Sequence, residues 1–350
     1  MTDYLSDKIR KLNEYIPNES AYRVRLDANE SPFRPSDTMM EKFSEALKSA
    51  DMNRYPDPYA KELISKYAAV YNIDPRNLIV GNGSDELISI ICNSFLSKGD
   101  KILCLYPDFS MYAFYSELIE ADIVRYDKPD GYGIDFDELK QIIKDENINL
   151  VMLSNPCNPT GVAYERDVIL DFVGNIGCLA VIDEAYMEYC TRDCSILHEY
   201  KNFDNLIILK TLSKIGYAGL RLGFAIGCDT LIGGIRKVKS PYNVNMISQI
   251  LASVMLDNYG EVKNNIDTII KNREVLYNKL VELQGLYSLP PPDGNFISLV
   301  FGDGEKAEFI YTNLIKNGIS VRYMKPYRLR ITVGTAEENN DFIKTFGDLI

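Results

Sequence analysis

Lys214 sits in TLSKIGYAGLRLG (residues 211–223), between a hydroxyl-rich approach and a glycine-punctuated turn that leads to Arg221. An amine held in such a place, rather than left in solvent, is suited to attack on a carbonyl. Asp183 ends the apolar run CLAVI, so its carboxylate closes a buried strand, where an isolated charge is costly and calls for a cationic partner. An Arg or Lys of the fold meets that need, and so does a protonated pyridine nitrogen. Tyr186, three residues on, reaches the same ligand from the side. Asn158, in NPCNPTG (155–161), is either a turn former or a hydrogen-bond donor to a phenolic oxygen. In GNGSDE (81–86), Gly81 and Gly83 permit a tight turn, and Ser84 and Asp85 open a helix whose free N–H groups can hold a phosphate. By itself that turn is common architecture.

The elements that must position these residues follow from the hydrophobic period. From about residue 78, short apolar runs alternate with helical patterns: LIVGNGS, KILCLYP, DIVRYD, INLVMLSNP, CLAVIDEAY, NLIILKTLS and GFAIG read as strands. DELISIICNSFLSKG, FSMYAFYSELIEA, FDELKQIIKDEN and ERDVILDFVGNIG read as the intervening helices. The alternation predicts an α/β fold with a mostly parallel, doubly wound sheet and helices on both faces. Beyond Pro241 the texture changes to a long helical pattern over 246–284 interrupted near Gly260, a stiff LPPPDGN connector, and strands NFISLVF, SVRYM and RLRITV, the pattern of a smaller α+β domain. Ligands of open α/β sheets bind beyond the carboxyl ends of the strands, and GNGSDE, NPCNPTG, DEAY (183–186) and TLSK (211–214) all fall at that rim. A Lys amine, an Asp, a Tyr, an Asn, a phosphate cradle and Arg221 together fit pyridoxal 5′-phosphate: an imine-forming lysine, an Asp on the ring nitrogen, and donors around the phosphate.

Composition narrows the alternatives. The 350-residue chain carries a formal charge of −12 with no long Lys/Arg run, which argues against nucleic acid and against an anionic membrane surface. No apolar run approaches membrane-spanning length, and MTDYLSDKIRKLNEYIP lacks the apolar core of a signal peptide, so a cytoplasmic location is the default. The only histidine is His198, and the seven cysteines form no CxxC pair, with Cys190 and Cys194 the closest spaced. A His-based triad or a Cys/His metal site is therefore poorly supported. Lys, Tyr, Asp or a cofactor must do the chemistry.

Ten ordered motifs, LDANESPF (26–33), RYPDP (54–58), GNGSDE, YPDFSMY (106–112), NPCNPTG, DEAY, TLSK, AGLRLGF (218–224), SPYNVN (240–245) and LRITVGTAEEN (329–339), resemble those of fold-type I pyridoxal-phosphate aminotransferases, most closely the histidinol-phosphate aminotransferase branch. The resemblance spans essentially the whole chain. It implies a large cofactor-binding domain over residues 30–240 with a seven-stranded sheet, a small domain from residues 1–29 and 241–350, and a homodimer with active sites at the interface. It implies that Lys214 is the Schiff-base lysine, that Asp183 partners the pyridine nitrogen, that Asn158 and Tyr186 hold the cofactor's O3′, and that Tyr112 stacks on the ring. Gly83, Ser84, Asp85, Thr211, Ser213 and Arg221 would surround the phosphate, and Tyr55 would reach the phosphate of the neighbouring subunit's cofactor. Arg330, Arg322 and Asn29 would bind substrate. One departure stands out: IGYAGL, between Lys214 and Arg221, is one residue shorter than the usual family spacing, so the turn must be tighter and Arg221's place at the phosphate is less secure than the identity of Lys214.

The substrate is less legible. Arg330 in RLRITVG and Arg322 in SVRYM are either structural surface charges or a pair that holds a carboxylate or phosphate. The segment NEYIPNESAYRV matches the branch's substrate-covering segment only loosely. The leading reading is an aminotransferase for an amino acid or phosphorylated amine such as histidinol phosphate, with glutamate and 2-oxoglutarate as the second pair in a ping-pong cycle. The alternative is a decarboxylase resembling threonine-phosphate decarboxylase, which differs in which Cα bond is broken. A non-enzymatic cofactor-binding or regulatory protein is disfavoured, because the lysine and its supporting residues are all present.

Overall fold

A computed structural model describes residues 4–10, 12, 14, 21–283 and 287–350. Most of NEYIPNESAYRV lies outside the described residues. Among the described residues twelve strands form: β1 (Val24–Leu26), β2 (Leu78–Asn82), β3 (Lys101–Tyr106), β4 (Asp122–Asp127), β5 (Leu150–Ser154), β6 (Leu179–Asp183), β7 (Leu206–Thr211), β8 (Leu222–Gly227), β9 (Tyr287–Ser288), β10 (Phe296–Phe301), β11 (Ile319–Met324) and β12 (Arg328–Thr332).

Seven of them form one sheet in the order β2-β8-β7-β6-β5-β3-β4. All neighbours are parallel except β8, which runs against both β2 and β7. Every residue of β5, β7 and β8 is buried, because helices cover both faces. Alternate side chains serve the two cores: Ala180 and Ile182 of β6 and Leu206 and Ile208 of β7 enter one, while Val181, Ile207 and Leu209 enter the other. Six of the seven strands bring their C-terminal ends to one rim, as the apolar-run pattern requires.

The other five strands form a second sheet in the order β1-β11-β12-β10-β9, with only the β1–β11 pair parallel. Its alternation decides what each face does. Ile297, Leu299, Phe301, Val321, Leu329 and Ile331 join the apolar core with Ala307, Ile310 and Leu314 of the helix Gly304–Lys316. The opposite face carries Ser298, Val300, Arg322, Met324, Arg328 and Arg330. β1 and β9 are too short to register as apolar periods, so only pairing reveals them.

Local signals set several helix limits. Asp135 accepts from the backbone N–H of Asp137 and Glu138 at the start of Phe136–Asp145, and Thr335 with Glu338 forms a capping box for Ala336–Gly347. The long pattern beyond 246 divides into Met246–Asp257 and Tyr259–Glu282. The break falls at Asn258, two residues before Gly260, where the Asn258 amide donates back to the Val254 carbonyl at 2.8 Å. Among the described residues no helix is long and apolar enough to cross a membrane.

Candidate active site

A cavity of about 1210 Å³ opens beyond the C-terminal ends of β3, β5, β6 and β7 and under the polar face of the second sheet. Nine basic and seven acidic side chains line it, a net positive wall in a chain whose total charge is −12. Of the residues singled out in the sequence, the cavity brings together Lys214, Asp183, Tyr186, Tyr112, Asn158, Gly83, Ser84, Asp85, Thr211, Ser213, Arg221, Arg322 and Arg330.

Lys214 follows β7 in a wide turn over Ser213–Tyr217, in which Gly216 adopts φ 107°, a conformation that favours glycine. Its Nζ donates to the Ala28 carbonyl at 3.2 Å and lies 5.9 Å from the centre of the Tyr186 ring. The Tyr189 hydroxyl donates to the Lys214 carbonyl at 2.7 Å and pins the backbone. Lys210, four residues earlier and inside β7, points away from the cavity, where it is buried against Glu188 at 2.8 Å and Glu184 at 3.6 Å. Lys214, past the end of β7, is therefore the amine that faces the cavity from this segment.

Asp183 closes β6 and is almost fully buried. The Tyr112 hydroxyl donates to its Oδ2 at 2.9 Å and the Ala185 N–H to its Oδ1 at 3.0 Å. Burial pushes its carboxyl up to about 6, with the two hydrogen bonds partly offsetting. Among the described residues no Lys or Arg forms an ion pair with it, so the fold itself does not supply the cation that the sequence argument required.

Asn158 is fixed from two directions. Its N–H donates to the Ser154 hydroxyl at 3.0 Å, and its Oδ1 accepts from Arg330 Nη1 at 2.6 Å. Asn158 lines the cavity, and among the described residues nothing accepts from its Nδ2. Arg330 also donates to the Asp27 carbonyl at 2.6 Å and stands over Phe296. Behind Ser154 lies a pair the sequence reading missed: Ser154 donates to Asp108, whose other oxygen is 3.0 Å from Lys128 Nζ. Both charges of that pair are buried. Burial opposes the charge on Lys128, but Asp108 outweighs it and the ammonium is held well above its ordinary range. Asp108 lies within the YPDFSMY motif, yet Lys128 becomes visible only through the parallel register that sets Tyr106 beside Asp127.

The GNGSDE turn packs as its glycines demand. Gly83 has φ 78°, and a Cβ there would stand 2.9 Å from Arg221 Nη2. A Cβ on Gly223 would stand 2.4 Å from the Ser84 nitrogen, so β8 and the start of the helix Gly83–Phe95 touch at the backbone. Arg221, in the left-handed region at φ 54°, reaches 3.6 Å from Asp85. The shortened segment thus still delivers its guanidinium to the helix start. Thr211 donates to the Ser213 hydroxyl at 3.0 Å beside it. Free N–H groups at a helix N-terminus, hydroxyls and a guanidinium form an anion cradle.

Two expectations sit differently. Asn29 is fully buried behind Tyr186, donating to its hydroxyl at 3.1 Å, and does not line the cavity; the left-handed φ of 54° there turns its side chain inward to Thr332 and Tyr186. Tyr55 is 80% exposed, stacked on Tyr242 at 4.7 Å, and lies outside the cavity of its own chain. Arg328, which no motif drew out, lines the cavity on the same face as Arg330. Its spacing of two residues from Arg330 in RLRIT is the signal that would have found it.

The sequence profile described as "Aminotransferase class I and II" matches residues 23–346, and the chain belongs to that family. The histidinol-phosphate aminotransferase of Clostridium novyi (strain NT) is 38% identical over 340 residues, covering 96% of this chain and 94% of that one. The protein of the same name from Thermoanaerobacter pseudethanolicus is 35% identical over 350 residues, covering 98% of both. Among solved structures, the histidinol-phosphate aminotransferase of Sinorhizobium meliloti in complex with pyridoxal-5′-phosphate superposes with a TM-score of 0.91 at 22% identity, covering all of this chain and 98% of that one. An L-threonine-O-3-phosphate decarboxylase from Porphyromonas gingivalis shares the fold at a TM-score of 0.79 and 20% identity, covering 93% and 98%.

Proposed function

We propose that the chain is a pyridoxal-phosphate-dependent aminotransferase that exchanges an amino group between a phosphorylated amine of the histidinol-phosphate type and 2-oxoglutarate. The observation that carries this reading is Asp183: a buried carboxylate without a cation of the fold, facing a cavity that also holds the Lys214 amine and a phosphate cradle. Such a carboxylate fits a protonated pyridine nitrogen, Lys214 Nζ fits the aldehyde, the Asn158 Nδ2 donors and the Tyr186 hydroxyl fit the phenolic oxygen, and Arg221 with Ser84, Thr211 and Ser213 fits the phosphate.

When bound, the cofactor supplies an electron sink for the pair left behind as the substrate Cα–H bond breaks. Lys214 would hold the cofactor through its aldehyde and, as a free amine, would serve as the base that takes and returns the substrate Cα proton. Asp183 would favour the protonated form of the ring nitrogen and so keep the sink effective. Arg330 holds the substrate's anionic group while also orienting Asn158. Tyr55, exposed and outside its own cavity, would serve the cavity of a second copy in a homodimer. Full-length relatives named as aminotransferases at 35–38% identity support transamination over decarboxylation.

The test is the visible spectrum of the purified chain before and after L-glutamate alone, then after histidinol phosphate. Conversion of the yellow form by both amines is expected, and retention of the yellow form with glutamate would overturn the transaminase reading. Borohydride should fix the cofactor to Lys214, and a Lys214→Ala chain labelled to the normal level would overturn the lysine's role.

A further inference from the structure

Arg328 has none of the partners that usually accompany a buried charge. It is 7% exposed, Nη1 donates to the Ser298 hydroxyl at 2.8 Å, and Nη2 donates to the Gly131 carbonyl at 3.0 Å. Both acceptors are neutral, and among the described residues no carboxylate forms an ion pair with it. Burial lowers its pKa from the ordinary range. Two of its five donors are thus occupied, and both bonds hold the fork in place without neutralising it. The seat is shaped for it: a Cβ at Gly131 would come 3.0 Å from Nη2, and Gly131 has φ 72°. A buried guanidinium without a counter-charge is costly unless an anion completes it.

Its position relative to Arg330 sets what that anion is. The two arginines alternate along β12 on the face that walls the cavity, roughly 7 Å apart along the strand. Arg330 stands beside Asn158, next to the reacting centre, and Arg328 stands two residues farther out, against the Gly131 loop. The carboxylate carbons of a five-carbon dicarboxylate lie roughly 5 Å apart, a span of the same order as the two-residue repeat that separates these arginines along β12.

We propose that Arg328 is a specificity-determining residue that binds the side-chain carboxylate of the dicarboxylic amino-group partner, while Arg330 takes its α-carboxylate. This rests on the aminotransferase reading. It explains how one cavity serves two unlike substrates: the phosphorylated amine presents one anionic group, to Arg330, and the dicarboxylate presents two, the second reaching Arg328. A purely structural role, tying the Gly131 loop to the second sheet, would give no such distinction between ligands.

The test uses calorimetric titration of the full chain loaded with pyridoxal 5′-phosphate, with unreactive probes: glutarate, butyrate and inorganic phosphate. The wild-type chain should bind glutarate at least tenfold more tightly than butyrate, since the second carboxylate adds a charge-assisted bidentate contact. In Arg328→Gln the glutarate affinity should fall roughly 10- to 100-fold to the level of butyrate, with phosphate and butyrate changed by less than about threefold. Arg328→Lys, which keeps the charge and loses the fork, should fall between. Because each comparison is a ratio between ligands on one variant, a general loss of stability does not imitate it. An equal preference for glutarate in wild type and variant, or an equal loss of glutarate, butyrate and phosphate binding, would overturn the assignment. If instead glutamate fails to convert the yellow form of the wild-type chain while glutarate still distinguishes the variants, the transaminase reading fails and the dicarboxylate site stands.

Discussion

Replacing Asp183 by asparagine in the cofactor-free chain should stabilise the fold, and by an amount that depends on pH. Burial raises the Asp183 carboxyl from 3.8 to about 6 in the folded chain. The folded state therefore binds more protons than the unfolded state between those two values, and stability falls as pH rises through that window. A shift of just over two units at 1.36 kcal/mol each gives about 3 kcal/mol lost once both states are ionised. Asparagine can keep its Oδ1 for the Ala185 N–H and turn its Nδ2 to the Tyr112 hydroxyl oxygen, which accepts as well as donates, and it removes the titration. The assay is urea unfolding of both cofactor-free chains at several pH values from about 4 to 7. The variant's advantage should grow by about 2.4 kcal/mol between about pH 4 and 7, most of that total, because all other titrating groups are common to both chains. A difference that stays flat with pH would refute the account of Asp183 as a buried carboxylate without a counter-charge. The cofactor should reverse the order, stabilising the wild-type chain more than the variant at neutral pH.

Two other perturbations test the supports of the cavity. Lys128→Met leaves the Asp108 carboxylate buried without its ammonium and should destabilise the chain by about 3–5 kcal/mol, read by thermal or urea unfolding, and a loss under about 1 kcal/mol would show that the pair is dispensable. Gly223→Ala places a methyl against the Gly83–Ser84 peptide and should cost about 1–3 kcal/mol, with at least about tenfold weaker pyridoxal 5′-phosphate in an absorbance titration; unchanged cofactor affinity would separate the backbone contact from the phosphate cradle.

Much of this architecture was legible because the large sheet is buried on both faces. Near-continuous apolar runs such as LIILKT and LAVID can be read without tertiary information, and the polar residues that end them must then share a rim. Lys214 was separable from Lys210 because the apolar run ends at Thr211, which leaves Lys210 inside the strand and Lys214 in the polar segment beyond its end. Features that depend on register between distant segments were not legible. Lys128 meets Asp108 only because β3 and β4 are parallel and in phase, and Arg328 meets Gly131 across 197 residues of sequence. Asn29 was read as a substrate contact from its motif, but its left-handed backbone, which one sequence does not announce, turns its amide to Tyr186. The shortened Lys214–Arg221 segment suggested an insecure Arg221. The structure has Gly216 at φ 107° within the wide turn and Arg221 in the left-handed region, with its guanidinium 3.6 Å from Asp85 at the helix start.

The arginine proposed to face substrate also fixes the residue proposed to touch the cofactor, and this couples the two sheets. Arg330 comes from β12, its Nη1 bonds to Asn158 after β5, and Asn158 is tied through Ser154 to the buried Asp108–Lys128 pair. A chain of charge-assisted bonds with both ends anchored resists reorientation more than its separate members would. An anion arriving at Arg330 would therefore compete for, or polarise, the guanidinium that sets the Asn158 amide. Substrate occupancy and the hydrogen bond at the cofactor's phenolic oxygen are then linked through one side chain, with no movement of either sheet required. In this arrangement the identity of residue 330 matters twice, and a lysine there would keep the charge while losing the fork that reaches Asn158 and Asp27 together.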